Sequence, residues 1–237
     1  MMSNNYFRFK QFFVNQGESA FKVGTDGVLL GASAEVEGLT SILDVGTGTG
    51  LVALMLAQKC TALITAIEPD RDSFLQASEN IRQSKWADRI YIENCTLQAF
   101  KGQAKGYDLM ISNPPYFIDS LKNPDPSKSA ARHNDSLTHN DILEGAGRLL
   151  SDEGILQLIL PYEEGKVFIQ HALRRGFFCN NIINIRPSPS CEIKRLILSI
   201  SRKRLTLTES FLTIDKGRRH DFTEEYIALT KDFYLKF

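Results

Sequence analysis

The chain has 237 residues, of which 43% are hydrophobic and 24% charged, and its 28 Lys and Arg residues balance 28 Asp and Glu residues. This composition is typical of a soluble globular protein and excludes a mainly disordered or fibrous one. The longest apolar run, Leu51 to Ala57, is far shorter than the roughly 20 residues that cross a bilayer, and the first residues do not form a secretory signal. We therefore expect a soluble, cytoplasmic protein with no membrane partner.

Apolar segments of strand length alternate with amphipathic segments from about residue 40 to about residue 200. The predicted helices are Leu51–Lys59, Asp72–Ser84, Asn140–Leu150 and Glu164–Arg174. The predicted strands are Ser41–Val45, Leu63–Ile67, Ile90–Glu93, Leu109–Ser112, Ile155–Leu160, Phe178–Ile185 and Leu196–Ser201. This alternation predicts an α/β fold with a mainly parallel sheet of seven strands and helices on both faces.

The last two predicted strands have no helix between them, so we expect them to form an antiparallel hairpin at one end of the sheet. A polar loop, residues 117–138, also interrupts the alternation. A loop of this length inside a compact domain is more often functional than incidental.

A glycine-rich turn follows the first predicted strand. Gly46, Gly48 and Gly50 come directly after Asp44 and open the next helix, and glycines let the backbone turn sharply and approach a ligand closely. The dinucleotide fingerprint would need a glycine where Leu51 stands, and no P-loop pattern occurs in the chain. The turn therefore matches neither of these loops, and a glycine-rich turn that binds no ligand is one interpretation of it.

An acidic residue follows the second predicted strand, in the sequence Ile67-Glu68-Pro69-Asp70. The Glu68 carboxylate can accept hydrogen bonds from both hydroxyls of a ribose. An exposed acid that caps the next helix is the alternative, but the position of Glu68 one strand after the glycine turn favours ribose binding.

The sequence Asn113-Pro114-Pro115-Tyr116 follows the fourth predicted strand. Two prolines cannot continue a strand, so the chain must leave the sheet here in a fixed, extended conformation. The four residues resemble the [D/N]-P-P-[Y/F/W] motif of enzymes that act on planar amino or amide nitrogens. The resemblance implies that the Asn113 side-chain oxygen and the Pro114 carbonyl each accept one N–H of such a group. The Tyr116 ring can stack on the base that carries this group, which is worth about 1–3 kcal/mol. Asn113, Pro114 and Tyr116 are therefore the candidate catalytic residues.

These motifs resemble those of a known enzyme class. The turn from Asp44 to Gly50 is similar to motif I of class I S-adenosylmethionine-dependent methyltransferases. The residues from Asn113 to Tyr116 resemble the [D/N]-P-P-[Y/F/W] motif of enzymes that methylate planar amino or amide nitrogens. The resemblance implies S-adenosylmethionine as cofactor and a single Rossmann-like domain, residues 1–237. In it, residues 1–39 would close over cofactor and substrate and residues 40–237 would form the core.

Further segments indicate the substrate by resemblance to the bacterial tRNA(Val) adenine-N6 methyltransferases. These segments are Phe9–Val14, Phe21–Ala32, Leu54–Gln58, Ser112–Tyr116, Tyr226–Thr230 and Phe233–Leu235. That family methylates N6 of the adenosine on the 3′ side of the anticodon, position 37, in a valine tRNA. The resemblance covers nearly the whole chain and implies a valine tRNA as partner; we expect a monomer.

The resemblance also assigns cofactor-binding residues. On the N-terminal side they are Lys22, Gly24, Thr25 and Asp26, and in the core they are Asp44, Gly46, Gly48, Gly50, Glu68, Pro69, Thr96 and Asn113. Thr96 is a departure, because the family has there an acid that accepts from the cofactor's adenine. The residues alone predict that Thr25 or Asp26 is the N-cap of a helix.

An RNA partner needs positive charge, and residues 186–219 carry nine Lys and Arg residues against three acidic ones. This surplus predicts a phosphate-binding surface, with a solvated strand face as the alternative. The candidate RNA-binding residues are Lys194, Arg195, Arg202, Pro115 and Arg132. The aromatic and basic residues at 7–13 either stack on RNA or form the core side of an N-terminal helix.

The cysteines and histidines do not have metal-binding spacing. No C-x-x-C pair occurs, and the closest histidines, His133 and His139, lack the i, i+4 spacing of helical ligands. We therefore expect neither a metal site nor a disulfide.

Two other functions stay open. A glutamine-N5 protein methyltransferase could use the same Asn-Pro-Pro-Tyr site, although the chain lacks a separate N-terminal helical domain to recognise a protein. A non-catalytic RNA-binding module is the second, and the intact Asp44, Glu68, Asn113 and Tyr116 argue against it.

Overall fold

The computed structural model describes residues 5–17, 22–115, 137–218 and 220–236. Its helices are α1 (Thr25–Ser33), α2 (Leu51–Lys59), α3 (Arg71–Arg82), α4 (His139–Leu149), α5 (Tyr162–Arg174) and α6 (Glu224–Thr230). Its strands are β1 (Tyr6–Arg8), β2 (Phe13–Asn15), β3 (Ser41–Val45), β4 (Leu63–Ile67), β5 (Ile90–Glu93), β6 (Tyr107–Ser112), β7 (Leu150–Pro161), β8 (Phe178–Arg186), β9 (Arg195–Ser201) and β10 (Thr208–Thr213).

Eight strands form one sheet in the order β10-β8-β9-β7-β6-β3-β4-β5, and β1 and β2 form a separate antiparallel pair. Neighbouring strands from β7 to β5 pair in parallel, and so do β8 and β10. β9 is antiparallel to both of its neighbours, β7 and β8. The other seven strands of the sheet therefore end at the same edge, which we name the carboxyl edge; the opposite edge is the amino edge.

The predicted α/β architecture is confirmed, with two differences. The hairpin of β8 and β9 forms, but β9 lies inside the sheet rather than at its end. Leu196, Ile197 and Leu198 of β9 are all buried, and an internal position covers both faces of this apolar strand. The apolar pattern does not predict the eighth strand, β10 (Thr208–Thr213). This strand is the outermost one of the sheet on its side, and its residues are mostly exposed.

Alternate strand positions supply two hydrophobic cores, one on each face of the sheet. Ile42 and Ile111 pack in one cluster with residues of α1 and α2. Leu43 and Met110, their neighbours along β3 and β6, pack in a second cluster with residues of α4 and α5. Successive side chains of a strand point to opposite faces, so these strands are covered by helices on both sides, as predicted.

The aromatic residues at 7–13 belong to the β1–β2 hairpin, so the interpretation as an N-terminal helix is wrong. Phe9 and Phe12 are buried and stack with ring centroids 4.6 Å apart. Phe9 also stacks on Tyr234 of the C-terminal segment, at 5.9 Å. These rings close the core where the two ends of the chain meet, and Phe13 is the more exposed ring, at 38%.

Among the described residues, no helix is long and apolar enough to cross a membrane. Within the same ranges, no group of three or more His, Cys, Asp and Glu side chains is placed to hold a metal ion.

Candidate functional site

The residues assigned to catalysis and cofactor binding in the core follow four strands that end at the carboxyl edge. The glycine turn follows β3, Glu68 follows β4, Thr96 lies beyond β5, and Asn113 follows β6. These strands are neighbours in the order β6-β3-β4-β5. Ligands of open α/β sheets bind outside the carboxyl ends of the strands, so the fold gathers these residues at one candidate site.

The glycine turn has a backbone that only glycine adopts readily. Gly46, Gly48 and Gly50 have φ angles of +68°, +58° and +82°, a left-handed region that disfavours residues with a Cβ atom. The Gly46 N–H donates to the Ile67 carbonyl at 2.9 Å, so the turn is held against the end of β4. A Cβ atom built on Gly46 would have no neighbour within 4 Å among the residues that the structure describes. The turn therefore borders open space above the sheet.

The Asp44 carboxylate braces this turn from inside the protein. Its Oδ2 atom accepts from the Thr47 hydroxyl at 2.5 Å and from the Ala53 N–H at 3.1 Å. Burial raises the pKa of Asp44 to about 7, although these two hydrogen bonds oppose the shift. Asp44 is 1% exposed, so it stabilises the turn between β3 and α2 through hydrogen bonds on the buried side of the turn.

Glu68 lies beside the same turn. Its Oε2 atom accepts from the Gly48 N–H at 2.8 Å, and its Oε1 atom accepts from the Asp70 N–H at 3.0 Å. Burial raises the pKa of Glu68, and these two backbone bonds lower it in part. A carboxylate offers about four acceptor positions, so Glu68 is held rigidly and still has acceptor capacity for two hydroxyl groups.

The Asn-Pro-Pro segment is anchored by the residue before it. The Ser112 hydroxyl, fully buried, donates to the Val45 carbonyl at 2.7 Å and joins the ends of β6 and β3. The segment then runs from the partly buried Asn113 through the buried Pro114 to the exposed Pro115. Tyr116, the fourth residue of the motif, lies outside the described residues, and so does Arg132.

The first turn of α1 approaches Asn113. A Cβ atom built on Gly27 would lie 4.0 Å from the Asn113 Nδ2 atom. The structure therefore places the start of α1 beside Asn113. The N-cap of α1 is Gly24, which has extended dihedral angles. The prediction of Thr25 or Asp26 as N-cap is therefore wrong.

The loop after β5 holds the loop after β4. The Asn94 side-chain amide donates to the Glu68 carbonyl at 2.8 Å and to the Pro69 carbonyl at 3.0 Å. The Thr96 hydroxyl accepts from the Ala99 N–H at 3.3 Å and so closes a local turn. Sequence reasoning missed Asn94; its position directly after a predicted strand was the available signal.

The three predicted basic RNA-binding residues of the C-terminal segment do not lie together. Lys194 and Arg195 lie at the carboxyl edge, where Arg195 pairs with Pro161 and Ile185 at the ends of β7 and β8. Arg202 follows β9 at the amino edge, roughly 20 Å away at about 3.3 Å per strand residue. Arg195 Nε donates to Asp26 Oδ2 at 2.8 Å, so a residue predicted to bind RNA and one predicted to bind the cofactor form an ion pair.

Comparisons with known proteins identify the family. The family model described as "Methyltransferase small domain" matches residues 24–177, which include the glycine turn, Glu68 and Asn113. A Trichodesmium erythraeum protein named "tRNA1(Val) (adenine(37)-N6)-methyltransferase" is 45% identical over 240 residues, and the match covers 100% of both chains. A Parabacteroides distasonis protein of the same name is 45% identical over 236 residues, which cover 99% of this chain and 100% of that protein.

Solved structures agree on the fold. The crystal structure of a predicted O-methyltransferase from Agrobacterium tumefaciens has a TM-score of 0.67 and 20% identity to this chain. The match covers 88% of this chain and 96% of that one. The chain belongs to the methyltransferase small domain family, together with the full-length relatives named tRNA1(Val) (adenine(37)-N6)-methyltransferase.

Proposed function

We propose that this methyltransferase transfers a methyl group from S-adenosylmethionine to N6 of adenosine 37 in a valine tRNA. The observation that carries the proposal is the position of Asn113 and Pro114 at the same sheet edge as the glycine turn. Full-length relatives at 45% identity, named for this reaction, support the choice of substrate.

The described residues fit the cofactor. Open space borders Gly46, and Glu68, held by two backbone N–H groups, keeps acceptor capacity for two ribose hydroxyls. When bound, S-adenosylmethionine supplies an electrophilic methyl group. The other residues that would line it are Lys22, Gly24, Thr25, Asp26, Asp44, Gly48, Gly50, Pro69, Thr96 and Asn113.

Asn113 and Pro114 can orient the adenine amino group. The lone pair of this nitrogen is delocalised into the ring, so the nitrogen is a poor nucleophile until its two N–H groups are held. The Asn113 side-chain oxygen and the Pro114 carbonyl each accept one of them, which aims the lone pair and favours the geometry of attack. The nitrogen loses its proton after it has become cationic, so no strong base is required first. Tyr116 is proposed to stack on the adenine.

The tRNA is proposed to lie along the carboxyl edge, where the exposed Lys194 directly precedes β9 and the exposed Lys216 and Arg218 follow β10. Pro115 and Arg132 are proposed to contact the flipped nucleotide, which costs less to extrude from a loop than from a duplex. We further propose that the enzyme acts as a monomer in the cytoplasm, without a metal ion, because the roles of Asn113 and Pro114 need none.

Methyl transfer to an unmodified valine tRNA transcript tests the proposal. We expect incorporation of radiolabelled methyl groups, identified as N6-methyladenosine by nucleoside mass spectrometry, and none with a transcript that carries guanosine at position 37. Incorporation into a glutamine-containing protein but not into tRNA would instead support an amide methyltransferase, and no incorporation into either would refute the proposal.

A further inference from the structure

A buried asparagine outside the assigned site, Asn80 of α3, connects the β1–β2 hairpin to the glycine turn. Its Oδ1 atom accepts from the Asn15 N–H at 2.9 Å, and its Nδ2 atom donates to the Asn15 carbonyl at 2.9 Å. The same Nδ2 atom donates to the Thr49 carbonyl at 2.8 Å. Thr49 lies between two glycines of the turn, and Asn80 is only 1% exposed.

These three bonds require an amide side chain in one orientation. The amide of Asn80 meets one N–H group and two carbonyl oxygens, so it must present one acceptor and two donor hydrogens. A carboxylate cannot donate at pH 7, and it would face both carbonyl oxygens with a negative charge. The chemistry of the position therefore selects asparagine.

The β1–β2 hairpin is also connected by hydrogen bonds to the segment before α1. Asn15 is followed by Gln16, which is 7% exposed and accepts from the Val23 N–H through its Oε1 atom at 2.8 Å. Val23 directly precedes Gly24, the N-cap of α1. Asn80 thus connects, through Asn15 and Gln16, to the N-terminal segment proposed to cover the cofactor, and through Thr49 to the turn proposed to lie beneath it.

We infer that Asn80 is a positioning residue that sets the separation between these two walls of the cofactor site and thereby sets cofactor affinity. The inference rests on the proposed cofactor binding. Asn80 acts through backbone groups of Asn15 and Thr49, so its loss changes the spacing of the walls and leaves Asn113 in place. Affinity for the cofactor should fall more than the rate at saturation.

The test measures binding of S-adenosylhomocysteine by calorimetry and methylation kinetics for Asn80→Ala. We expect a Kd and a KM for S-adenosylmethionine at least 10-fold higher, with kcat at saturation within threefold. The matched control is Asn184→Ala, because Asn184 is 6% exposed and its amide donates to the Ser210 carbonyl at 3.3 Å in another part of the sheet. Asn184→Ala should lower thermal stability and leave the Kd for S-adenosylhomocysteine and the KM for S-adenosylmethionine within twofold of their original values. Asn15→Ala keeps both hydrogen bonds between Asn80 and the backbone of residue 15, so this variant should bind S-adenosylhomocysteine with unchanged affinity.

Hydrogen exchange on the unmodified protein provides a test that does not depend on a variant that folds. Coupling between two sites is reciprocal, so S-adenosylhomocysteine should slow exchange of the Asn15 amide as well as the amides of the glycine turn. If the protein binds S-adenosylhomocysteine and the Asn15 amide gains no protection, or Asn80→Ala binds as the unmodified protein does, the inference is wrong. If the unmodified protein binds none, the proposed function itself fails.

Discussion

The two edges of the sheet treat their charged side chains differently. At the amino edge, the Asp108 carboxylate accepts from the Thr40 and Ser41 N–H groups at 2.8 and 3.0 Å. Burial acts to raise the pKa of Asp108, but these bonds and those from the Thr40 and Ser41 hydroxyls outweigh it and lower the pKa. At the carboxyl edge, burial dominates and raises the pKa of Asp44 and Glu68. Hydrogen bonds therefore outweigh burial at Asp108, whereas burial outweighs hydrogen bonds at Asp44 and Glu68.

The basic residues at the two ends of β9 differ in their partners. At the amino edge, Arg202 donates to the Gly147 carbonyl and lies over the Phe177 ring at 5.5 Å. Lys203 pairs there with Glu153 at 3.1 Å. At the carboxyl edge, Lys194 has a side chain that is 56% exposed and lies 3.7 Å from a glutamate whose side chain is 91% exposed. Arg202 therefore has internal partners, whereas Lys194 and Lys203 both lie in exposed ion pairs. Arg195, at the carboxyl edge, pairs with Asp26 at 2.8 Å.

The largest effect is expected from the carboxyl edge itself, at Asn113. Asn113→Ala removes an acceptor that matters most when charge develops on the amino nitrogen, so the turnover rate should fall on the order of 100-fold or more. Affinity for valine tRNA should change less than twofold in a filter-binding assay. A variant with normal turnover would contradict the assigned role of Asn113.

The pH dependence of stability should have opposite signs at the two edges. The pKa of Asp44 is about 7 in the folded state against 3.8 as its ordinary value, so the folded state binds the extra proton between these pH values and the free energy of unfolding falls as pH rises through them. Asp44→Asn keeps the acceptor and removes the charge, so it should abolish this fall, on the order of a few kcal/mol.

Asp108→Asn is the control for that measurement. Because the pKa of Asp108 is lowered in the folded protein, its contribution is present above the ordinary pKa and is lost as pH falls below it. Urea denaturation between about pH 3 and pH 8 should show Asp44→Asn more stable than the unmodified protein at the upper end of the range. Asp108→Asn should be less stable there, and this difference should shrink as the pH falls below the ordinary pKa of an aspartate. Parallel changes in both variants would remove the contrast between the edges.

Glu68→Ala should weaken cofactor binding by about 1–3 kcal/mol, because it leaves the N–H groups of Gly48 and Asp70 without their acceptor and removes the ribose contacts. Calorimetry with S-adenosylhomocysteine measures this directly. Asp108→Asn, a carboxylate change at the amino edge, should leave the affinity unchanged. Equal effects would show that the loss is structural rather than local to the site.

The smallest effects are expected from single surface charges. Lys194→Ala and Lys216→Ala should each weaken tRNA binding a few-fold and reduce the salt dependence of log Kd by about one. Lys203→Ala, the matched change at the amino edge, should alter neither. If Lys203→Ala has the same effect as Lys194→Ala, the tRNA does not select the carboxyl edge.

Local sequence patterns predicted the apolar elements that pack in the two cores. Leu51–Lys59 has the same bounds in the structure as in the prediction, because glycines fix its start and a continuous apolar surface buries it. Arg202 shows the limit of that approach: a count of charges does not reveal that β9 carries it to the opposite edge from Arg195. Asn80 was missed because its three partners are backbone groups of residues distant in sequence, which leave no local pattern.

The insertion of β9 between β7 and β8 has a consequence for how the chain assembles during synthesis. β8 leaves the ribosome before β9, yet within the sheet its backbone bonds run only to β9 and β10. The sheet therefore cannot grow in the order in which its strands are made, because β8 joins it only through β9. Until β9 has been made and has docked, β7 has an unpaired edge on this side, and unpaired strand edges are sites of aggregation.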